Sequence, residues 1–170
     1  MIETIKYLLP AVVVFLAAYL VLSKMIRSER QRLHAEAALN NQKYITPLRM
    51  QAYERMVLLL ERISPQALIM RTQRPNITNR ELQNMLLKTI RSEFEHNMAH
   101  QLYISNKAWE MVCSAKEDCI KLINQTALQT KPDGNSLQLC KLVLERMLDQ
   151  ANDPTKKAIN YLKDEIRELF

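Results

Sequence analysis

Residues 79–103 read NRELQNMLLKTIRSEFEHNMAHQLY, and Leu82, Leu86, Ile90, Phe94, Met98 and Leu102 fall at steps of four along them. Such spacing lines one face of an α-helix. Thr78 just ahead, with Glu81 three residues on, is a capping box that marks the helix start. Outward from this helix the punctuation repeats. Ser105 caps a helix from Asn106 to about Thr130, and residues 131–135 form a turn holding the only glycine, Gly134. Ser136 to about Ala151 is helical, and Asp153-Pro154 opens a last helix ending at Phe170. On the other side, residues 71–79 form a loop, Ser64-Pro65 opens a short helix to about Arg71, and Thr46-Pro47 starts one running to about Ile63. One glycine among 170 residues leaves little for hairpin turns, and nine methionines suit helices. The fold class expected is all-α, a helical bundle.

Ahead of the bundle, residues 7–22 read YLLPAVVVFLAAYLVL without a charge. With Ile2, Ile5 and the stem of Lys6 this approaches the length of about 20 apolar residues that crosses a bilayer. No small-x-small cleavage site follows, so an uncleaved anchor is expected and not a signal peptide. Lys24, Arg27, Arg30 and Arg32 follow the apolar run, opposed by Glu29, and the positive-inside rule places that side in the cytoplasm. The expected organisation is a transmembrane anchor over residues 1–23, a polar helical stalk over 24–45 and a cytoplasmic helical domain over 46–170. Lys24, Arg27, Arg30 and Arg32 become membrane-facing cations, with the N-terminus outside.

Charge and cysteine usage narrow the function classes. Residues 1–91 hold 14 Lys and Arg against 6 Asp and Glu, whereas the remainder hold 10 against 12. The basic half suits anionic headgroups. Nucleic acid is not expected as a partner, because the basic residues are not interleaved with stacking aromatics. Cys113, Cys119 and Cys140 match neither a disulfide framework nor a zinc spacing, and are read as reduced thiols.

Several runs resemble an uncharacterised family of small bacterial single-pass membrane proteins, a domain of unknown function. They are Leu9-Pro10-Ala11, residues 47–55 (PLRMQAYER), 60–65 (LERISP), 93–97 (EFEHN) and the tail Leu162 to Phe170. The resemblance covers nearly the whole chain. It implies a bacterial inner-membrane location and a helical cytoplasmic domain, and it implies no activity.

Polar residues that break the apolar pattern are the candidates for function. His96 and His100 stand four apart with Glu93 one turn earlier, a spacing that can bind zinc or form half of a di-iron motif. The second half is missing, and His96 is not followed by the glutamate of a zinc protease. These three stay weak metal candidates, and no cofactor is expected. Glu54-Arg55 and Glu61-Arg62 recur seven apart, as solvated pairs or a partner-docking face. Glu93 and Asn97 fall inside the apolar arc of the helix centred near Ile90. Lys116 falls near the centre of the arc defined by Trp109, Val112, Cys113, Ile120, Ile123 and Ala127. Glu93, Asn97 and Lys116 therefore read as a polar core network, with Glu93 and Lys116 an ion pair across two antiparallel helices.

No catalytic set emerges, so the chain is not expected to be an enzyme. The leading expectation is a membrane-anchored interaction or scaffold module whose partners are the lipid membrane and unidentified protein, with homo-oligomerisation left open. An accessory subunit of a larger inner-membrane complex, and a small metal-binding or enzymatic domain around Glu93, His96 and His100, are the alternatives.

Overall fold

A run of apolar positions at Ala52, Tyr53, Met56, Leu59, Leu60 and Ile63 steps down one face of the first helix, and every one of them is buried. Each large side chain so removed from water contributes on the order of 1.5–3 kcal/mol. The computed structural model describes residues 2–147 and 153–169. Within the first 42 residues it describes the side chains only of Phe15, Tyr19, residues 22–30, Arg32, Leu33 and Glu36. Helix α1 spans Ile2–Ile63, α2 Pro65–Thr72, α3 Asn79–Asn97, α4 Asn106–Ala127, α5 Ser136–Met147 and α6 Pro154–Leu169, with a 3₁₀ segment at Met98–Leu102. No strand occurs among the described residues; Thr78 and Asn135 form one isolated bridge. The expected ends of the fifth helix near Ala151 and of the last at Phe170 lie outside the described residues.

Two units divide the chain, Met1–Pro47 and Leu48–Phe170. Among the described residues no helix is long and apolar enough to cross a membrane. This overturns the transmembrane anchor, and with it the single-pass inner-membrane location with the N-terminus outside. A crossing needs about 20 largely apolar residues. From Leu22 onward the described side chains of α1 mix apolar groups with Lys24, Arg27, Glu29, Arg30 and Arg32. Most of the apolar side chains between Tyr7 and Leu22 lie outside the described residues.

The helix expected to begin at Thr46-Pro47 does not begin there, because α1 runs through Pro47. Proline in a helix interior frees the carbonyl four residues back. Here that residue is Lys43, which is exposed, so water can replace the lost N–H.

The bundle unit starts its helices with side-chain caps. The Ser64 hydroxyl accepts from the Ala67 N–H at 3.4 Å, and that of Ser105 from the Ala108 N–H at 3.0 Å. Thr78 and Glu81 form the full capping box, in which the Glu81 carboxylate accepts from the Thr78 N–H at 2.8 Å. The Asp153 carboxylate accepts from the Thr155 N–H at 3.0 Å and opens α6. Asn76, at φ 62, turns the loop into α3, a left-handed conformation that asparagine tolerates.

Helix α3 packs on α2, α4 and α5, while α4 also packs on α6. Its step-of-four stripe holds only at first. Leu82, Leu86 and Ile90 are buried, but Met98 is 41% and Leu102 79% exposed. Four residues advance 40° beyond a full turn, so the stripe drifts off the core side, and the chain tightens to 3₁₀ after Asn97.

The tie that holds α3 to α5 is Asn79. Its backbone N–H donates to the Gly134 carbonyl at 2.9 Å, and its side-chain amide donates to the Lys131 carbonyl at 2.8 Å. Its side-chain oxygen accepts from the Leu139 N–H at 3.2 Å in the first turn of α5. A Cβ on Gly134 would stand 3.0 Å from the Asn79 amide nitrogen and 3.1 Å from the Lys131 carbonyl. The single glycine of the chain is therefore spent where α3 meets the turn. Asn79→Ala strands the buried Leu139 N–H and takes one of two donors from the Lys131 carbonyl, and should lower unfolding free energy by about 2 kcal/mol in urea denaturation. Gly134→Ala, which crowds the same amide, should cost about 1 kcal/mol.

Candidate functional surfaces: an arginine-lined pocket and an uncovered helix face

Glu93 lies one turn from the end of α3, and its side chain is only 16% exposed. Arg62, one residue from the end of α1, grips it with two nitrogens: Nε donates to Oε2 at 2.9 Å and Nη2 to Oε1 at 2.6 Å. Arg71 of α2 donates Nη1 to the same Oε1 at 3.4 Å and Nη2 to the Arg62 carbonyl at 2.6 Å. One carboxylate thus joins three helices. The hydrogen bond from Arg62 holds the Glu93 carboxyl below the usual carboxylate range; burial opposes this, and the Arg62 and Arg71 charges reinforce it.

Beside this network a pocket of about 230 Å³ opens between α1 and the end of α3, lined by Arg55, Leu58, Arg62, Glu93, His96 and Asn97 over buried Leu59. Arg55 makes no ion pair or hydrogen bond among the described residues. The Asn97 amide donates to the Glu93 carbonyl at 2.8 Å, which leaves its oxygen free to accept.

The expected Glu93–Lys116 ion pair does not form. Phe94 fills the seam between α3 and α4, stacked on Trp109 with ring centroids 5.2 Å apart. Lys116 lays its ammonium 4.3 Å over the Phe94 ring and pairs with Glu117 at 2.9 Å. Glu93 stands one residue round the helix from Phe94, toward α1 and α2, where its arginines are. The buried strip of α4 is Ala108, Val112, Ala115, Cys119, Ile123 and Thr126, so Lys116 sits at its edge and not at its centre. Of the expected polar core only Asn97 is buried, and it is satisfied within its own helix. Of the two arginine partners, the sequence singles out only Arg62, in the Glu61-Arg62 repeat, which carries no sign of which acid it meets.

The metal candidates do not converge. His96 is exposed on α3, and His100 lies in the 3₁₀ segment, so the two lose the common helical face. Glu93 is already engaged by two guanidiniums. Among the described residues no group of three or more His, Cys, Asp or Glu could hold a metal ion. The three cysteines are free, and burial pushes the Cys119 thiol up to about 12, away from nucleophile chemistry.

A second surface belongs to the first unit. Phe15, Tyr19, Leu22, Met25, Ile26 and Leu33 of α1 each expose more than half of their surface. Lys24, Arg27, Arg30 and Arg32 are exposed on the same stretch. A shallow depression there is lined by Tyr19, Leu22, Ile26, Arg27 and Arg30.

The family model that matches the chain spans residues 1–169, so the chain belongs to DUF7935, a family of unknown function. No curated protein and no solved structure matches it. Membership brings no activity with it.

A double-mutant cycle of Glu93 and Arg62 should show coupling of about 0.5–1 kcal/mol, while Glu93 and Lys116 should be additive. The stabilisation that Glu93 contributes over Glu93→Gln should carry a pH signature. Its folded carboxyl titrates below the ordinary 4.5. The difference in thermal stability should therefore be complete above that value, shrink as pH falls below it, and vanish once the folded carboxyl is protonated.

Proposed function

We propose that this member of DUF7935 is a non-enzymatic interaction module, whose first unit presents a helix that docks on a partner helix. The observation behind the reading is the uncovered strip on α1. Phe15, Tyr19, Leu22, Ile26 and Leu33 recur at 4–3–4–7 spacing, and all are more than half exposed. Seven-residue recurrence of this kind is the geometry of a helix-on-helix seam. An apolar strip left in water is costly, and such patches mark sites of association.

Charge narrows the partner. At 100° per residue, Arg27 and Arg30 lie along one edge of the strip, and Glu29 along the other. The complementary helix therefore carries an apolar strip with acidic residues on the edge that meets Arg27 and Arg30. Electrostatic match of this kind sets partner choice and approach rate.

The test places a photo-crosslinking amino acid at Met25 in the full chain, in its own cells. A discrete polypeptide adduct is expected, and it should fall at least fivefold when Arg27 and Arg30 are both changed to glutamate. Adducts with lipid alone, adducts only between two copies of the chain, or a polypeptide adduct indifferent to the charge reversal would each refute the reading.

A further inference from the structure

We propose that the pocket between α1 and the end of α3 binds the phosphate group of a small phosphate monoester. Arg55 and Arg62 line the pocket with one carboxylate, Glu93, which Arg71 reaches from α2. Glu93 takes two hydrogen bonds from Arg62 and one from Arg71, while Arg55 on the pocket wall is matched by no acid among the described residues. The cluster therefore holds more guanidinium charge than Glu93 can balance.

Among the described residues that line the pocket, none but Glu93 carries negative charge. Glu54 and Glu61 lie round α1 beyond Leu58, and neither lines the pocket. Arg62 uses Nε and one hydrogen of Nη2 on Glu93, which leaves Nη1 and the second hydrogen of Nη2 as a fork for a ligand. Glu93 acts as a positioning residue: it fixes the plane of the Arg62 fork before any ligand arrives. A pre-set guanidinium fork is the side-chain group best matched to a phosphate oxygen pair. Asn97 adds an accepting oxygen and His96 a ring nitrogen, both able to reach a hydroxyl beside the phosphate. Beneath them buried Leu59 forms an apolar floor, with Leu58, 44% exposed, at the rim.

Charge and size select the ligand class. A carboxylate would balance one excess charge, whereas a phosphate monoester near neutral pH carries close to two. The volume of about 230 Å³ accommodates a phosphate and a short carbon chain, and falls below the usual range for larger ligands. The same phosphate chemistry occurs free in solution and on a lipid headgroup, so both sources belong in the experiment.

The full chain is titrated with glycerol 3-phosphate at fixed ionic strength, and separately with phosphatidylcholine vesicles with and without phosphatidic acid. The His96 ring and Asn97 amide resonances report on the site. Saturable binding of glycerol 3-phosphate that shifts those resonances is expected. Arg55→Gln should weaken it about tenfold, the worth of one charge-assisted hydrogen bond. Arg62→Lys, which keeps the charge and loses the fork, should weaken it as well. Lys163→Gln, an equal loss of charge at an exposed position of α6, should not. Binding only to the vesicles containing phosphatidic acid, with the same dependence on Arg55, would keep the phosphate site and assign its source to a lipid. Absence of binding in both arms, or equal weakening by Arg55→Gln and Lys163→Gln, would overturn the proposal. Because Arg55 has no partner to lose among the described residues, its variant should melt with the unaltered chain, and a melt confirms that any lost binding is not lost fold.

Discussion

The bundle depends on the three hydrogen bonds of one buried asparagine. Asn79 is the first residue of α3, where helix N–H groups lack partners in their own helix. The turn before α5 supplies acceptors: the Gly134 carbonyl takes the Asn79 N–H, and the Pro132 carbonyl takes that of Arg80 at 3.0 Å. The Asn79 side chain then reaches on to the first turn of α5. Two helix starts 57 residues apart are thus satisfied by one another and not by water. An amide in this position cannot be traded for an apolar group of like size without orphaning buried backbone, which is why the constraint is strict.

From that fixed start α3 runs to Glu93, and the arginine network closes the other end. The same helix is therefore tied to α5 at its N-terminus and to α1 and α2 near its C-terminus. Between the two ties lies the apolar seam of Leu82, Leu86 and Ile90. The pocket beside Glu93 inherits its shape from this arrangement. Its cationic wall comes from α1, and its far side comes from the last turn of α3, where the helix is about to tighten.

Local signals were legible in the sequence, and distant ones were not. The caps at Ser64, Thr78, Ser105 and Asp153 rest on contacts within three residues, and each stands where its sequence pattern places it. Gly134 was legible as a turn but not as the close neighbour of Asn79, since that contact spans more than fifty residues. Pro47 read as a helix start, yet α1 passes through it, because an exposed helix loses only one hydrogen bond there and water can replace it. Glu93 and Asn97 are legible as polar residues on an apolar face, but the spacing points Glu93 to Lys116 and not to Arg62 and Arg71. Lys116 is the opposite charge at the matching distance from the turn, and nothing in spacing alone shows that Phe94 and Trp109 fill that seam. The apolar run before Leu22 read as a bilayer span, a reading that the described part of the fold does not carry.

Native-state hydrogen exchange tests the central tie most directly. Exchange of the amides of Asn79, Arg80, Ser136 and Leu139 can be compared with that of Ile90 in the middle of α3. If Asn79 locks the two helix starts together, those four amides exchange only through the opening that releases Ile90, and share its protection. Rapid exchange at Asn79 and Leu139 while Ile90 stays protected would show the tie to be loose and would contradict the account.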